Sequence, residues 1–224
     1  MKLKKLLFYL VPLLLFGLFF NFLYTYIGGG GTTWGRLIFR HQANEYLQKK
    51  YPALQYKIEH ISCDFKSPNY YGAEIKPSDD TINFYVDETR NGLTDNYPFK
   101  HWENEVSDEC YRILKDYNVN AKCNPLIWLD SAKFNFQRPF PSYDKVKNLL
   151  RNSHCYTNIS IEFNSTFIPE NDLKKLLEIH KTIRNKQLVS SYQYGYKNFE
   201  ISIGKHDTIE TIEDLFNNGH QIKY

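Results

Sequence analysis

The sequence predicts an α+β protein with an N-terminal transmembrane helix followed by two small lobes, each with helices packed on antiparallel sheets. Three observations support this fold class: an apolar run near the N-terminus, short segments with alternating apolar residues, and segments with apolar residues at helical spacing. The strands and helices do not alternate in a regular βαβ pattern, which favours α+β over α/β. Aromatic residues make up 17% of the 224 residues, which excludes an extensively disordered chain.

The apolar run is predicted to be a retained membrane anchor. Residues 6–27 contain no charged side chain. As a helix rising about 1.5 Å per residue, they would extend about 33 Å, enough to cross a hydrocarbon core of about 30 Å. Tyr24 and Tyr26 near the far end are typical of the interfacial aromatic belt of a retained span.

A cleaved signal peptide is the alternative interpretation of the same segment. The strongly apolar part, residues 6–20, has the length of a signal-peptide core. However, the chain has no Ala-x-Ala cleavage site there, and only Gly28 and Gly30 offer a weak small-residue substitute. The anchor is therefore the favoured interpretation, with the lipid bilayer as a partner through residues 6–27.

The charges on either side of the run predict its orientation. Before the run lie Lys2, Lys4 and Lys5; after it come Arg36 and Arg40. The excess of positive charge on the N-terminal side predicts a cytoplasmic N-terminus and an extracytoplasmic body, in a single-pass protein of the cell membrane. The glycines at 28–31 are interpreted as a swivel between membrane and body.

The overall charge gives no indication of nucleic-acid binding. The net charge is +3, and the three lysines before the apolar run account for all of it. The body is therefore electrically neutral and lacks the excess of basic residues that binds phosphate backbones. We expect no nucleic-acid partner.

The chain is divided into residues 1–31 (lysines, transmembrane helix and glycine swivel), 32–130 (first lobe) and 131–224 (second lobe). Thr32 or Thr33 is predicted to cap the first helix of the body, which Pro52 ends. "YYGAEI" and "TINFYVD" form a predicted hairpin.

The first lobe continues with a predicted helix from about Phe99 to Tyr117, followed by a short strand, "LIWL". This gives the order α-β-β-β-α-β. The proline-interrupted "FQRPFPS" is interpreted as the boundary to the second lobe, for which three helices and three strands are predicted.

The cysteines allow more than one arrangement. Cys63, Cys110, Cys123 and Cys155 could form two disulfides, in any of three connectivities, if the body lies outside the cell. Four buried thiols fit the sequence equally well. No C-x-x-C occurs, so neither a thioredoxin-type site nor a zinc knuckle is predicted.

Four features occur in order along the first lobe: "EYLQKKY", "DFKSPNYYGAEIKPSDDTINFYVDE", "TDNYP" and the W-x-x-E at Trp102 to Glu105. Together they resemble the YfjL-like family, small membrane-anchored proteins of Gram-positive bacteria without an established function. The resemblance covers residues 1–130 best and the second lobe loosely. It implies an N-terminal span, an α+β body outside the membrane and no family active site. The helix-then-sheet order of the first lobe is separately similar to that of cystatin- and PepSY-like folds.

No catalytic or metal-binding constellation is evident in the sequence. The histidines are dispersed without an H-E-x-x-H motif, so no metal or cofactor site is predicted. Ser142 and Lys145 have the S-x-x-K spacing, but one such match is expected by chance. A hydrolase site would have to assemble in the fold, around His154 and Cys155 or around His101 and nearby acids.

Tyr192, Tyr194 and Tyr196 are the candidate contact surface for a partner protein or glycan. Their alternate spacing in "YQYGYKNF" places them on one face of a predicted strand. An exposed row of phenol rings can stack against sugars or a partner, whereas a row facing a helix would belong to the core. Both interpretations are open from the sequence.

The sequence thus predicts a membrane-anchored extracytoplasmic binding or regulatory module of the cell envelope, without catalytic activity. An envelope protein or a wall polymer is the expected partner. The alternative is a membrane-tethered surface hydrolase.

Overall fold

The computed structural model of the chain describes residues 11–20, 32–64, 71–128, 136–152, 155–204, 207, 209–217 and 220–223. It divides into two compact units, Met1–Tyr97 and Pro98–Tyr224. The elements in chain order are α1 (11–20), α2 (Thr33–Lys50), β1 (Tyr56–Cys63), β2 (Tyr71–Pro77), β3 (Phe84–Thr89), β4 (Gly92–Asp95), α3 (Tyr97–Asp116), β5 (Ala121–Trp128), α4 (Tyr143–Asn152), β6 (Tyr156–Phe163), α5 (Pro169–Asn185), β7 (Ser191–Tyr196), β8 (Phe199–Ile203), α6 (Ile212–Asn217) and β9 (His220–Lys223).

The first unit is a four-stranded antiparallel sheet, in the order β1-β2-β3-β4, with α2 lying against β1 and β2. The predicted hairpin is confirmed as β2 and β3, where Ala73 pairs with Val86 and Ile75 with Phe84. These four side chains are buried, as the apolar alternation of both segments requires.

Helix α2 begins and ends where its sequence signals place it. The side chain of Thr32 accepts a hydrogen bond from the Gly35 N–H at 3.0 Å, which satisfies one of the free donors of the first turn. The helix ends at Lys50, two residues before Pro52, because proline lacks the N–H that a continuing helix needs. Its buried face carries Phe39, Ala43 and Leu47.

The second unit contains a mixed five-stranded sheet in the order β5-β6-β7-β8-β9. β6 and β7 pair in parallel, and every other neighbouring pair is antiparallel. The α+β class is confirmed, but the antiparallel sheet predicted for the second lobe is wrong at this pair. The parallel pairing has a simple cause: α5 connects β6 to β7 and returns the chain to the same end of the sheet.

The division between the units differs from the predicted boundary at residue 130. α3 and β5 belong to the second unit, where β5 pairs with β6 along its full length, from Ala121↔Phe163 to Trp128↔Tyr156. The indole N–H of Trp102 also donates to the Pro141 carbonyl at 2.8 Å. The proline-interrupted segment therefore connects two elements within one unit, because strand pairing overrides a local turn signal.

The predicted membrane span falls mostly outside the described residues. Of residues 6–27, only 11–20 are described; they form helix α1, and their side chains are exposed. Within the described part of the chain, no helix combines the length and the apolar character that crossing a bilayer takes. The glycines at 28–31 lie outside the described residues.

The four cysteines adopt neither of the arrangements that the sequence suggested. Cys110 on α3 and Cys123 on β5 form a disulfide, with their Cα atoms 6.4 Å apart. Cys63 and Cys155 are buried free thiols. The chain thus combines one bridge, within the second unit, with two thiols.

Candidate functional site

The tyrosines of β7 are core residues. Tyr192, Tyr194 and Tyr196 are 6%, 0% and 8% exposed. The Tyr194 hydroxyl lies 3.0 Å from Nδ1 of His180 on α5, and the ring of Tyr196 stacks on Phe163 at 4.2 Å. Burial raises the pKa of both Tyr194 and Tyr196. The face was correctly identified as common to the three rings, but it is covered, so the predicted partner or glycan surface at these residues is wrong.

The groups considered for a hydrolase site do not converge in the described structure. His154 lies outside the described residues, and Cys155 is buried, with its thiol donating to the Trp128 carbonyl at 3.3 Å. The ring of His101 packs against Phe140 at 5.0 Å between centroids. Among the described residues, no group of three or more His, Cys, Asp or Glu side chains is arranged to hold a metal ion.

A buried carboxylate forms the densest polar cluster of the first unit. Asp95 accepts hydrogen bonds from the hydroxyls of Tyr46 and Tyr51 at 2.6 and 2.9 Å and from the Tyr97 N–H at 3.1 Å. The ammonium group of Lys50 forms an ion pair with it at 2.6 Å. Burial, together with the nearby Asp95 charge, raises the pKa of both tyrosines, so they remain protonated donors.

This cluster, which we term the Asp95 tie, serves structure. Four donors occupy the acceptor positions of the carboxylate, which can accept about four hydrogen bonds in all. The tie fixes the C-terminal turn of α2 to the end of β4. Because no acceptor position is open for a ligand, we do not place the functional site there.

A charged cleft in the second unit is the candidate binding site. It has a volume of about 550 Å³ and lies among α3, α4 and the residues that follow α5. Its apolar lining consists of Val106, Tyr143 and Leu188. Its polar lining consists of Glu105, Asp108, Glu109, Arg112, Asp144, Lys147, Asn185 and Lys186.

Helix geometry places the charged side chains of α3 on one wall of this cleft. Glu105, Asp108, Glu109 and Arg112 follow the spacing i, i+3, i+4, i+7, which aligns them on one face. Glu103, also on α3, does not belong to this wall: it is buried, where it accepts from the Ile127 N–H at 3.0 Å and pairs with Lys100 at 2.6 Å.

One ion pair and one hydrogen bond join the walls of the cleft. Glu109 contacts Arg112 at 2.7 Å on its own helix and also pairs with Lys186, which follows α5. Lys147 pairs with Asp144 at 2.8 Å and donates to the Lys186 carbonyl at 3.3 Å. The hydrogen bond and charge of Lys147 lower the pKa of Asp144. The pairing of Lys186 with Glu109 was missed in the sequence because the two residues are 77 positions apart.

Two further hydrogen bonds fix the floor of the cleft. Glu105 accepts from the Tyr143 N–H at 2.7 Å, which places a carboxylate at the positive N-terminal end of α4. The Tyr143 hydroxyl in turn donates to the Leu188 carbonyl. These bonds hold α3, α4 and the α5–β7 connection in one arrangement.

Asp108 differs from the other acidic groups of the cleft. It is exposed, and it makes no hydrogen bond or ion pair with any residue that the structure describes. The neighbouring carboxylates of Glu105, Glu109 and Asp144 all have donors within the cleft. The arrangement therefore leaves one carboxylate available to a cationic group from outside.

Comparison with known proteins gives little information about function. No family model matches the chain, and no curated protein matches it either, so the YfjL-like resemblance has no support from family models. A crystal structure of a DUF5037 family protein from Ruminococcus gnavus is similar, with a TM-score of 0.45 and 10% sequence identity. The similarity covers 81% of this chain and 88% of that one.

Proposed function

We propose that this chain is a membrane-anchored extracytoplasmic module of the cell envelope that binds a partner through the charged cleft. The observation that carries the binding role is the cleft itself: about 550 Å³, held in shape by ion pairs, with an available carboxylate at Asp108. The expected partner is an envelope protein or a wall polymer that presents a cationic group to this carboxylate.

Two observations support the location. The uncharged run at residues 6–27, preceded by three lysines, fits a span with a cytoplasmic N-terminus. The Cys110–Cys123 disulfide fits a body that folds in an oxidising compartment, because cytosolic thiols are kept reduced.

Photo-crosslinking in cells tests the binding role. A photoreactive residue at Asn185, an exposed position in the cleft lining, is expected to form adducts with the natural partner. Asp108→Lys should reduce the adduct yield by roughly tenfold, the equivalent of about 1.4 kcal/mol in binding. Asp116→Lys, an exposed acidic position on the same helix that does not line the cleft, is the matched control. Equal adduct yields for the two variants would show that the cleft is not the binding site.

Protease treatment of intact cells tests the location separately. The body should be digested while a cytoplasmic marker protein stays intact, because the proposed orientation exposes the body outside the membrane. If the body survives until the cells are lysed, the proposed orientation is wrong, whatever the crosslinking shows.

A further inference from the structure

Helix α2 carries a second apolar face that nothing in the described structure covers. Trp34, Leu37 and Ile38 are 78%, 53% and 59% exposed. Their spacing of i, i+3 and i+4 places them on one side of the helix. At 3.6 residues per turn, this side is roughly opposite the one through which Phe39 and Ala43 contact the core. Large side chains thus face outward, together, on the side away from the sheet.

The apolar face is confined to the first two turns of the helix. The next residues on the same side are the polar and exposed His41 and Glu45, with Nε2 of His41 3.3 Å from Oε1 of Glu45. A face that bound a long partner helix would be expected to remain apolar over several turns. A face this short fits a flat, extended surface that contacts α2 only at its N-terminal end.

The apolar face begins with a tryptophan. Trp side chains prefer the boundary between lipid and water. Arg36 and Arg40 lie in the same two turns, but at 3.6 residues per turn they lie on the other side of the helix, towards Phe39 and Ala43. The apolar side chains of Trp34, Leu37 and Ile38 are therefore the ones that a lipid surface would contact.

The covalent chain limits how far this face can be from the bilayer. Five residue steps separate Ile27, the last residue of the proposed span, from Thr32, the cap of α2. At no more than about 3.6 Å per residue, the two are at most about 18 Å apart. The first turn of α2 is thus held beside the headgroup layer whatever conformation the glycines adopt.

We propose that the first two turns of α2 lie on the phospholipid headgroup layer, with Trp34, Leu37 and Ile38 inserted. This inference rests on the proposed anchoring and adds to it. The bilayer contact limits the swivel expected from the glycines, because it fixes one side of the first unit against the membrane.

Tryptophan quenching in reconstituted full-length protein tests this contact. The vesicles contain phosphatidylglycerol and phosphatidylcholine with brominated acyl chains, which quench only tryptophans that reach the lipid. Trp128, which is 63% exposed, provides a matched control position, whereas Trp102 is buried. We expect quenching to be retained in Trp128→Phe and lost in Trp34→Phe.

Iodide, a water-soluble quencher, identifies the alternatives. If iodide and not brominated lipid quenches Trp34, the face is in water and the proposal is wrong. If neither quenches it, a protein surface covers the face, which also excludes lipid contact.

Flotation of the same vesicles separates this inference from the anchor. Protein that floats with the vesicles while Trp34 is unquenched by bromine would overturn the α2 contact and leave the anchor standing. Protein that fails to float would overturn both.

Discussion

The two units fix a helix to a strand by different chemistry. In the first unit, the Asp95 tie holds the end of α2 through three side-chain donors, and the N–H of Tyr97, just after β4, is the fourth donor to the carboxylate. In the second unit, the Cys110–Cys123 disulfide joins α3 to β5 covalently. The tie depends on a buried charge whose partners are all present, whereas the disulfide depends on the redox state of the surroundings. We therefore expect loss of the Asp95 carboxylate to destabilise the first unit and reduction of the disulfide to destabilise the second.

Removing the carboxylate of the Asp95 tie is expected to have the largest effect. Asp95→Ala leaves the Lys50 ammonium group and two tyrosine hydroxyls without their acceptor in a buried site. Breaking a buried pair from one side typically costs about 3–5 kcal/mol. We expect a loss of this size in the free energy of unfolding of the first unit, measured by denaturant-dependent hydrogen exchange read separately for each unit.

The matched control for this variant is Glu45→Gln on the same helix. Glu45 is exposed, and exposed ion pairs contribute about 0–1 kcal/mol. If Asp95→Ala destabilised the first unit no more than this control, the tie would not be a stabilising element. An equal loss of stability in both units would show that the Asp95 tie does not act on the first unit alone.

Reduction of the disulfide is the complementary change. Cys110 and Cys123 are 13 positions apart, and closing a loop of similar length stabilises a fold by about 3 kcal/mol. Dithiothreitol should lower the free energy of unfolding of the second unit by this amount and leave the first unit unchanged. The Cys110→Ala/Cys123→Ala variant should be insensitive to the reductant.

Counting reactive thiols in the unfolded chain checks whether the Cys110–Cys123 disulfide is present. Without reductant, two of the four cysteines should react with a maleimide, because Cys63 and Cys155 are free. Four reactive cysteines in protein isolated from its native compartment would mean that the bridge does not form there. That result would also remove one of the two supports for an extracytoplasmic body.

Local signals in the sequence predicted the local elements well. Thr32 and Pro52 bracket α2, and the alternation of residues 71–77 and 84–89 gives the hairpin with its buried face. Each of these features is decided within a few residues by capping, by the missing proline N–H or by the period of the strand.

Features decided by distant parts of the chain could not be predicted in this way. The sequence placed Tyr192, Tyr194 and Tyr196 on one face, but only the position of α5 decides that this face is covered. The boundary near residue 130 was misplaced because the β5–β6 pairing reaches across the prolines. The cleft could not be predicted for the same reason: its α3 wall lies on one helix, but Lys147 and Lys186 come from other elements that only the fold brings beside it.

His180 gives the second unit a dependence on pH that an exposed histidine would not cause. Burial lowers its pKa from 6.5 to about 4, with a smaller contribution from the nearby Arg184 charge. Because the folded-state pKa is lower than the unfolded one, the unfolded chain binds the proton more tightly. Stability is therefore complete above pH 6.5 and falls as the pH decreases towards 4. By pH 5 this linkage should remove about 2 kcal/mol.

The measurement is the free energy of unfolding of the second unit at pH 7 and pH 5, compared between the wild type and His180→Gln. The comparison is needed because acidic groups also titrate as the pH falls. Between pH 7 and pH 5, the free energy of unfolding should fall by about 2 kcal/mol less in the variant than in the wild type, because glutamine does not titrate in this range. His41→Gln, at an exposed histidine of the first unit, should leave the loss unchanged. His180→Gln could instead lose as much stability between pH 7 and pH 5 as the wild type. That result would show that the His180 ring already accepts a proton within the fold, despite its burial against Tyr192 and Tyr194.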